Sequence, residues 1–160
     1  MSRRDDILRL DDAALSALCE WEFFKATGPG GQKRNKTSSA ARARLPEFGL
    51  FAEDCTERSQ LCNRRRALAK LRLRLAFEVR ESPAPPLGAP FATSPRHPLY
   101  PLLVAQTLDR LAECDFDHRA AAAALGVTPT AFLRKIAGDP AWWSRFSEYR
   151  RRRGLPALHP

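Results

Sequence analysis

Residues 57–75, ERSQLCNRRRALAKLRLRL, carry the pattern that decides the fold of the first half of the chain. Their apolar residues recur at helical spacing, which predicts one apolar face along a long helix running from about residue 59 to 80. That face consists of Leu61, Leu68, Leu71, Leu75 and Val79. Ser59 is placed to cap the helix, because its hydroxyl can accept a backbone N–H of the first turn. The opposite face is rich in arginine.

Shorter elements are predicted upstream of this helix. Residues 11–19 favour a short helix with acidic residues in its first turn, and the aromatic stretch EWEFFKAT at 20–27 favours a strand. Residues 39–45 and 50–55 can pair as a hairpin around the turn PEFG at 46–49. The fold class expected is therefore α+β, with a small hairpin sheet packed by the long helix that follows it.

The second half of the chain is expected to be helical. Residues 82–98, SPAPPLGAPFATSPRHP, contain too much proline for a helix and favour a semi-rigid linker. A helix is predicted at 99–114, and residues 117–136 read as helix, turn and helix, with Gly126 in the turn and Thr128 as the cap of the second helix. A final helix follows Asp139. We expect a mixed domain at 1–81, a linker at 82–98 and an all-α bundle with a basic C-terminus at 99–160.

The charge distribution favours a polyanionic partner. The chain has 27 Lys plus Arg against 18 Asp plus Glu, a formal charge of +9. Residues 25–44 contain basic side chains and no acid, and a second basic run extends over 58–80. Nucleic acid is the commonest partner of such a surface, while a basic but inert solvated face is the alternative. For Arg150 to Arg153, contact with nucleic acid and a local effect of the helix dipole both stay open.

The cysteine and histidine patterns indicate neither a metal site nor a disulfide framework. The four cysteines form no CxxC pair, and the three histidines are scattered along the chain. The N-terminus is charged throughout, and no apolar run is long enough for a membrane span. We therefore expect a cytoplasmic protein without cofactor, metal or membrane partner.

The segment GPGGQKRNKT at 28–37 raises the question of chemistry. It matches neither a Walker phosphate loop nor a dinucleotide fingerprint. Gly30 and Gly31 can adopt backbone conformations closed to other residues and can approach another molecule without a Cβ in the way. The amide of Gln32 is neither a base nor a nucleophile, so chemistry here must come from positioning and from hydrogen-bond donors such as its backbone N–H. A simple tight turn between strands is the alternative.

Two stretches together resemble a known family: GPGGQKRNKTSSAARARL at 28–45 and ERSQLCNRRRALAKLRLRL at 57–75. They resemble the catalytic GGQ domain of class I peptide-chain release factors, and more closely the short release-factor-like proteins that act in ribosome rescue. The resemblance spans about residues 12–81. It implies hydrolysis of the peptidyl-tRNA ester in the peptidyl-transferase centre of the large ribosomal subunit.

The resemblance also implies roles for individual residues. Gly30, Gly31 and Gln32 would form the catalytic tip, Gly28 would give the loop its freedom, and Ser59 would be structural. Gln32 is also a candidate for methylation by a glutamine methyltransferase. The residues expected to contact RNA are Lys33, Arg34, Asn35, Lys36, Thr37, Arg58, Gln60, Asn63, Arg64 and Arg65. Arg58, Gln60 and Asn63 would also support the loop.

Codon-independent release is the function expected, because no codon-reading domain precedes residue 12 in this sequence. The alternative is a non-catalytic protein that binds the ribosome, RNA or DNA through its helix-turn-helix module. Sequence-specific DNA reading is disfavoured, because Thr128, Thr130, Arg134 and Lys135 are few polar side chains for that task. Phe132, Leu133 and Ile136 look like core. Metal-dependent hydrolysis of free RNA finds no clustered ligands in the sequence.

Overall fold

The computed structural model describes residues 2–25 and 39–159. Apart from the first two residues, the chain divides into two compact units, Arg3–Leu75 and Ala76–Pro160, which we call the N-terminal and C-terminal units. The described residues form one three-stranded antiparallel sheet and seven α-helices. The predicted α+β class is therefore confirmed.

The N-terminal unit places a small sheet after two short helices and before a long one. Its elements are α1 (Arg3–Arg9), α2 (Asp12–Ala17), β1 (Glu20–Phe24), β2 (Ala40–Leu45), β3 (Leu50–Asp54) and α3 (Gln60–Glu78), which extends three residues past the division. The strand order is β1-β2-β3. Between β2 and β3, Gly49 adopts φ 64°, in the left-handed region that a residue without Cβ enters freely. The predicted hairpin is confirmed.

The core of this unit follows the strand alternation. In β2, Ala41, Ala43 and Leu45 are buried while Arg44 points to solvent. The part of α3 that belongs to this unit buries the apolar side chains of Ala67, Leu68, Leu71 and Leu75. The alanine side chains of β2 are small, so neighbouring side chains can pack closely against the sheet. Such close packing is typical of protein interiors, whose density matches that of organic crystals.

Two expectations about the apolar face of α3 are wrong in detail. Leu61 is 57% exposed rather than part of the apolar face, because Asn63 and Ala67 occupy the buried positions at the start of α3. The helix ends at Glu78, so Val79 lies beyond it. The charged N-terminus forms α1, in which Arg4 and Asp5 make a buried ion pair at 2.6 Å. A sequence pattern does not reveal such a pair, because each charge alone predicts exposure.

The C-terminal unit is helical and begins each of its last three helices with a side-chain cap. Its main elements are α4 (Tyr100–Glu113), α5 (His118–Ala124), α6 (Pro129–Ala137) and α7 (Pro140–Arg152). Asp117, Thr128 and Asp139 accept hydrogen bonds from first-turn backbone N–H groups. Gly126, at φ 68°, provides the turn between α5 and α6. This arrangement is the helix-turn-helix shape that the sequence predicts.

The proline-rich segment packs against other residues of the C-terminal unit. The backbone N–H of Gly88 donates to Gln106 Oε1 at 2.6 Å, and that of Ala84 donates to Glu113. Ala89 is buried. Residues 84–89 therefore lie along α4, while the domain limits expected at 81 and 98 stay predictions.

Aromatic side chains dominate the core of the C-terminal unit. Phe132, Trp142 and Phe146 are fully buried, and Tyr100 meets Trp142 edge to face at 5.9 Å. Arg150, at the start of the basic run, is itself buried and donates to the carbonyl of Phe116 at 2.7 Å. Across the described ranges, every helix is too short or too polar to span a bilayer.

Candidate nucleic-acid interface and loop support

The glycine segment itself lies outside the described residues. The roles expected for Gly28, Gly30, Gly31 and Gln32 therefore stay predictions, as do those for Lys33, Arg34, Asn35, Lys36 and Thr37. The structure does describe the chain on both sides of the segment. In the β1–β2 pairing Phe24 lies opposite Ala40, so the intervening residues leave and rejoin the sheet at the same end.

Asn63 holds the point where the chain rejoins the sheet. Its side chain is fully buried, and Nδ2 donates to the carbonyl of Ser39 at 2.7 Å and to that of Glu57 at 2.9 Å. Its Oδ1 accepts from the backbone N–H of Glu57 at 2.9 Å. One amide thus ties α3 to Ser39, 24 residues earlier, and to the turn before the helix. These contacts give Asn63 a structural part at this point of the chain, and its expected contact with RNA stays a prediction.

The first turn of α3 presents the other residues of the second motif. Ser59 Oγ accepts from the backbone N–H of Cys62 at 3.4 Å, and the Ser59 carbonyl accepts from the N–H of Asn63 at 3.1 Å. Ser59 therefore caps the helix as the sequence predicts. Arg58 and Gln60 are exposed beside it.

Arg64 and Arg65 are neighbours in sequence but differ in environment. The Arg64 guanidinium lies 4.7 Å from the ring centroid of Trp21 and 5.8 Å from that of Phe23, and it donates to Ser16 Oγ at 3.2 Å. Trp21 and Phe23 are stacked on each other at 6.0 Å. Arg64 thus joins α3 to α2 and β1, whereas Arg65 is exposed and makes no ion pair with a described residue.

Most of the other basic side chains of α3 are bonded within the N-terminal unit. Arg66 pairs with Glu57 at 2.7 Å, and Lys70 pairs with Asp54 at 2.8 Å. Arg72 binds Asp12 and donates to the carbonyl of Leu10 at 2.7 Å. Arg74 lies over the ring of Phe51 at 5.0 Å. The arginine-rich face that the sequence suggests for RNA contact is in large part used to hold the helix to its neighbours.

The pKa of Asp54 shows how strongly its pair with Lys70 stabilises the ionised carboxylate. Burial alone would raise the pKa of its carboxyl, but hydrogen bonds from Lys70 and from the hydroxyl and backbone N–H of Thr56 outweigh it and lower the pKa to about 2. Asp54 is therefore ionised at neutral pH. It fixes the end of β3 to the middle of α3.

The sequence interpretation missed the part played by Arg42 on the outer face of the sheet. Its guanidinium pairs with Glu22 of β1 at 2.8 Å and with Glu53 of β3 at 2.7 Å. It also lies 5.1 Å from the ring centroid of Phe24 and 5.4 Å from that of Phe51. Opposite charges on neighbouring strands were the available signal, but that signal is readable only once the strand register is known, because the register places Arg42 opposite both glutamates.

Among the basic residues that the structure describes, Arg58 and Arg65 are thus the predicted RNA contacts left exposed without an ion pair. They lie on or just before the first turns of α3, close in sequence to Asn63. In the same described ranges, no group of three or more His, Cys, Asp or Glu side chains is placed to hold a metal ion.

Comparison with known protein families identifies this region. Residues 14–86 match the RF-1 domain. The match covers the sheet, α3 and the loop segment, and it confirms the resemblance to release factors for this part of the chain. The RF-1 match ends before α4, so it does not include the helices of the C-terminal unit from α4 onward.

Individual relatives agree with the RF-1 match. Peptide chain release factor 1 of Leptothrix cholodnii is 48% identical over 63 residues, which are 39% of this chain and 18% of that protein. The peptide chain release factor homolog of Escherichia coli is 35% identical over 74 residues, 46% of this chain and 36% of that protein. The matched part is thus a minor share of each relative's length. No solved structure matches the chain significantly.

Proposed function

We propose that this protein hydrolyses the peptidyl-tRNA ester in the peptidyl-transferase centre of the large ribosomal subunit, without requiring a stop codon. The observation that carries the proposal is the buried hydrogen bond from Asn63 to Ser39. It joins the motif at the start of α3 to the chain that follows the glycine segment. A catalytic loop needs such support, because a small misplacement of a positioned group costs much of its effect.

The chemistry proposed for Gln32 is electrostatic. Water attacks the ester carbonyl carbon, the bond to the tRNA ribose oxygen breaks, and that oxygen takes up the proton that the water gives up. The backbone N–H of Gln32 donates to the oxyanion that develops, and its side-chain amide positions the water. Gly30 and Gly31 allow the backbone to approach the ester closely.

RNA contact is the second part of the proposal. Arg58, Gln60 and Arg65 are exposed on or just before the first turns of α3, where they can reach phosphates. The basic residues from Lys33 to Lys36 are assigned the same task. The partners proposed are ribosomal RNA, peptidyl-tRNA and a methyltransferase acting on Gln32, and the compartment proposed is the cytoplasm.

Codon independence and ribosome rescue are the finer part of the proposal. They go beyond the translation-release role that the RF-1 match supports. The residues from 87 onward lie outside that match. On this proposal the RF-1 domain hydrolyses any peptidyl-tRNA ester that it can reach, and release assays on different codons decide this part.

The test is release of labelled peptide from ribosomal complexes that carry peptidyl-tRNA and present an empty A site, a sense codon or a stop codon. Wild type is expected to release peptide regardless of the codon. Gln32→Ala is expected to lower the release rate by roughly 100-fold, because it keeps the backbone N–H but removes the side-chain amide that positions the attacking water. Its binding to ribosomes, measured by co-sedimentation, should be unchanged.

An unchanged release rate for Gln32→Ala would refute the role of the Gln32 side chain in positioning the water. Release confined to stop codons would refute codon independence alone. Ribosome binding without release on any complex would favour the alternative, a docking protein without catalysis.

A further inference from the structure

A groove runs along α5 and α6 on the surface of the C-terminal unit. Its volume is about 690 Å³. The side chains that line it and matter here are His118, Arg119, Thr130, Leu133, Arg134 and His159. We call it the basic groove. None of its lining residues carries a carboxylate.

Ion pairing separates the groove's arginines from Arg110 and Arg152 of the same unit. Arg110 pairs with Glu113, and Arg152 pairs with Glu148. Arg119 and Arg134 are both exposed, and neither makes an ion pair with a described residue. Two guanidinium groups therefore face one concavity. Clefts lined by one sign of charge concentrate the electrostatic field and attract counter-charges.

Two other basic side chains near the groove, His118 and Lys135, differ from its arginines. Burial lowers the pKa of His118, and the positive charges of Arg150 and Arg119 lower it further against the opposing effect of Asp117. The ring is therefore neutral near pH 7. Lys135 lies on α6 but donates to the carbonyl of Thr93 and packs over the ring of Tyr100 at 5.7 Å. The guanidinium charges that line the groove are those of Arg119 and Arg134.

The composition of the groove suits phosphate groups better than base edges. A guanidinium binds phosphate through two parallel hydrogen bonds. Base reading in a DNA groove needs several amide or basic side chains projecting from one helix, whereas the exposed residues of α6 are Pro129, Thr130, Ala131 and Arg134. Phe132 and Ile136 are buried, and Leu133 is half-buried in the groove wall rather than in the core.

We propose that the basic groove binds RNA through its backbone phosphates, with Arg119 and Arg134 as the two phosphate contacts. The choice of RNA over DNA rests on the proposed function, which brings the protein to ribosomal RNA. Structured RNA is commonly recognised through phosphates and shape rather than through base edges. The C-terminal unit thereby adds an RNA contact to those of the RF-1 domain.

The test measures binding of the full chain to a fluorescent RNA hairpin over a range of salt concentrations. Arg119→Gln/Arg134→Gln is expected to weaken binding about tenfold and to make the plot of log K against log salt shallower by about 1.5, the slope of two lost phosphate contacts. Arg96→Gln/Arg151→Gln is the matched control. Both of its arginines are exposed, lie outside the groove lining and make no ion pair with a described residue, so the net charge change is the same. The control should leave the slope nearly unchanged.

A second variant keeps the test valid if the double variant folds poorly. Thr130→Glu places a negative charge in the groove at the second residue of α6, where a carboxylate stabilises a helix. It is therefore expected to keep or raise the melting temperature while weakening RNA binding. Equal effects of the groove and control variants on affinity and slope would overturn the proposal.

Three further measurements identify the ligand and distinguish RNA binding by the groove from the proposed hydrolysis. A DNA duplex of the same sequence that binds as tightly as RNA, with the same loss in the groove variants, would overturn the choice of RNA. Displacement of RNA from wild type by poly-glutamate, at matched charge concentration, would overturn phosphate recognition. Gln32→Ala should bind the hairpin as wild type does. The RNA-binding result can therefore be interpreted even if the hydrolysis proposal fails.

Discussion

The polar side chains of α3 and those of the basic groove look alike in sequence but differ in where their hydrogen bonds go. Along α3, Asn63, Arg64 and Lys70 are bonded to the sheet, to α2 or to the preceding turn. In the groove, Arg119 and Arg134 make no ion pair with a described residue. The difference teaches that a count of basic residues does not locate a binding surface, whereas the pairing of each residue does.

Loss of the Asn63 amide is the largest change expected within the fold. Asn63→Ala leaves the carbonyl of Ser39 and both backbone groups of Glu57 without their partner in a buried site. We expect the free energy of unfolding to fall by about 2–4 kcal/mol, because each unpaired buried group carries a desolvation cost. Urea unfolding measures the loss, and hydrogen exchange should accelerate at the β2 amides that follow Ser39.

Cys62→Ala is the control for Asn63, because Cys62 is exposed on the same turn of α3. It should change the free energy of unfolding by less than about 0.5 kcal/mol. If Asn63→Ala left both the stability and the β2 exchange rates at wild-type values, the supporting role of Asn63 would be wrong. The distinction between hydrogen-bonded and exposed side chains of α3 would then lose its strongest example.

The Lys70–Asp54 pair should appear in the pH dependence of stability. The folded pKa of Asp54 lies below its unfolded value of about 3.8, so its contribution is present above pH 4 and is lost as the pH falls towards about 2. We expect Lys70→Met to remove about 1–2 kcal/mol at neutral pH and progressively less as the pH falls from about 4 to 2, where Asp54 becomes protonated in wild type as well.

Urea unfolding of wild type and Lys70→Met at several pH values measures this difference. Arg66→Met is the control, because its ion pair with Glu57 is exposed on both sides. A stability difference between wild type and Lys70→Met that stayed constant from pH 7 to about 2 would rule out Asp54 as the group concerned.

The adjacent residues Arg64 and Arg65 allow the sharpest test of the comparison. Arg64→Met should cost about 1–2 kcal/mol of stability, because it removes a guanidinium stacked between two aromatic rings and α2. Arg65→Met should change stability by less than about 0.5 kcal/mol but weaken RNA binding about threefold. Urea unfolding and RNA titration of both variants give the two readouts. Equal losses in both assays would show that the distinction drawn from pairing has no functional meaning.

The sequence could predict the helices, strands and turns better than the partners of individual side chains. Leucine spacing predicted α3, and Gly49, Gly126 and Thr128 marked turns and a cap that the structure contains, because these signals act over a few residues. The pairing of Arg64, by contrast, depends on Trp21 and Ser16, which lie more than 40 residues away. Such contacts depend on sheet register and helix packing, so a local pattern cannot distinguish Arg64 from Arg65. The buried Arg4–Asp5 pair was missed because its burial, too, is set by packing rather than by the local pattern.

The smallest effect on RNA affinity is expected at the cap of α6. Thr128→Ala removes the hydrogen bond from the Ala131 N–H to Thr128 Oγ1 at 3.2 Å and should destabilise the C-terminal unit by about 1 kcal/mol. A domain of ordinary stability stays almost fully folded after such a loss. RNA affinity should therefore stay within about twofold of wild type, while Thr130→Glu, two residues away, weakens it without loss of stability. Thr128→Ser, which keeps the hydroxyl, is the control in both urea unfolding and RNA titration. If Thr128→Ala weakened RNA binding as strongly as Arg119→Gln/Arg134→Gln, the losses would follow stability rather than contact, and the groove arginines would have to be regarded as part of the fold.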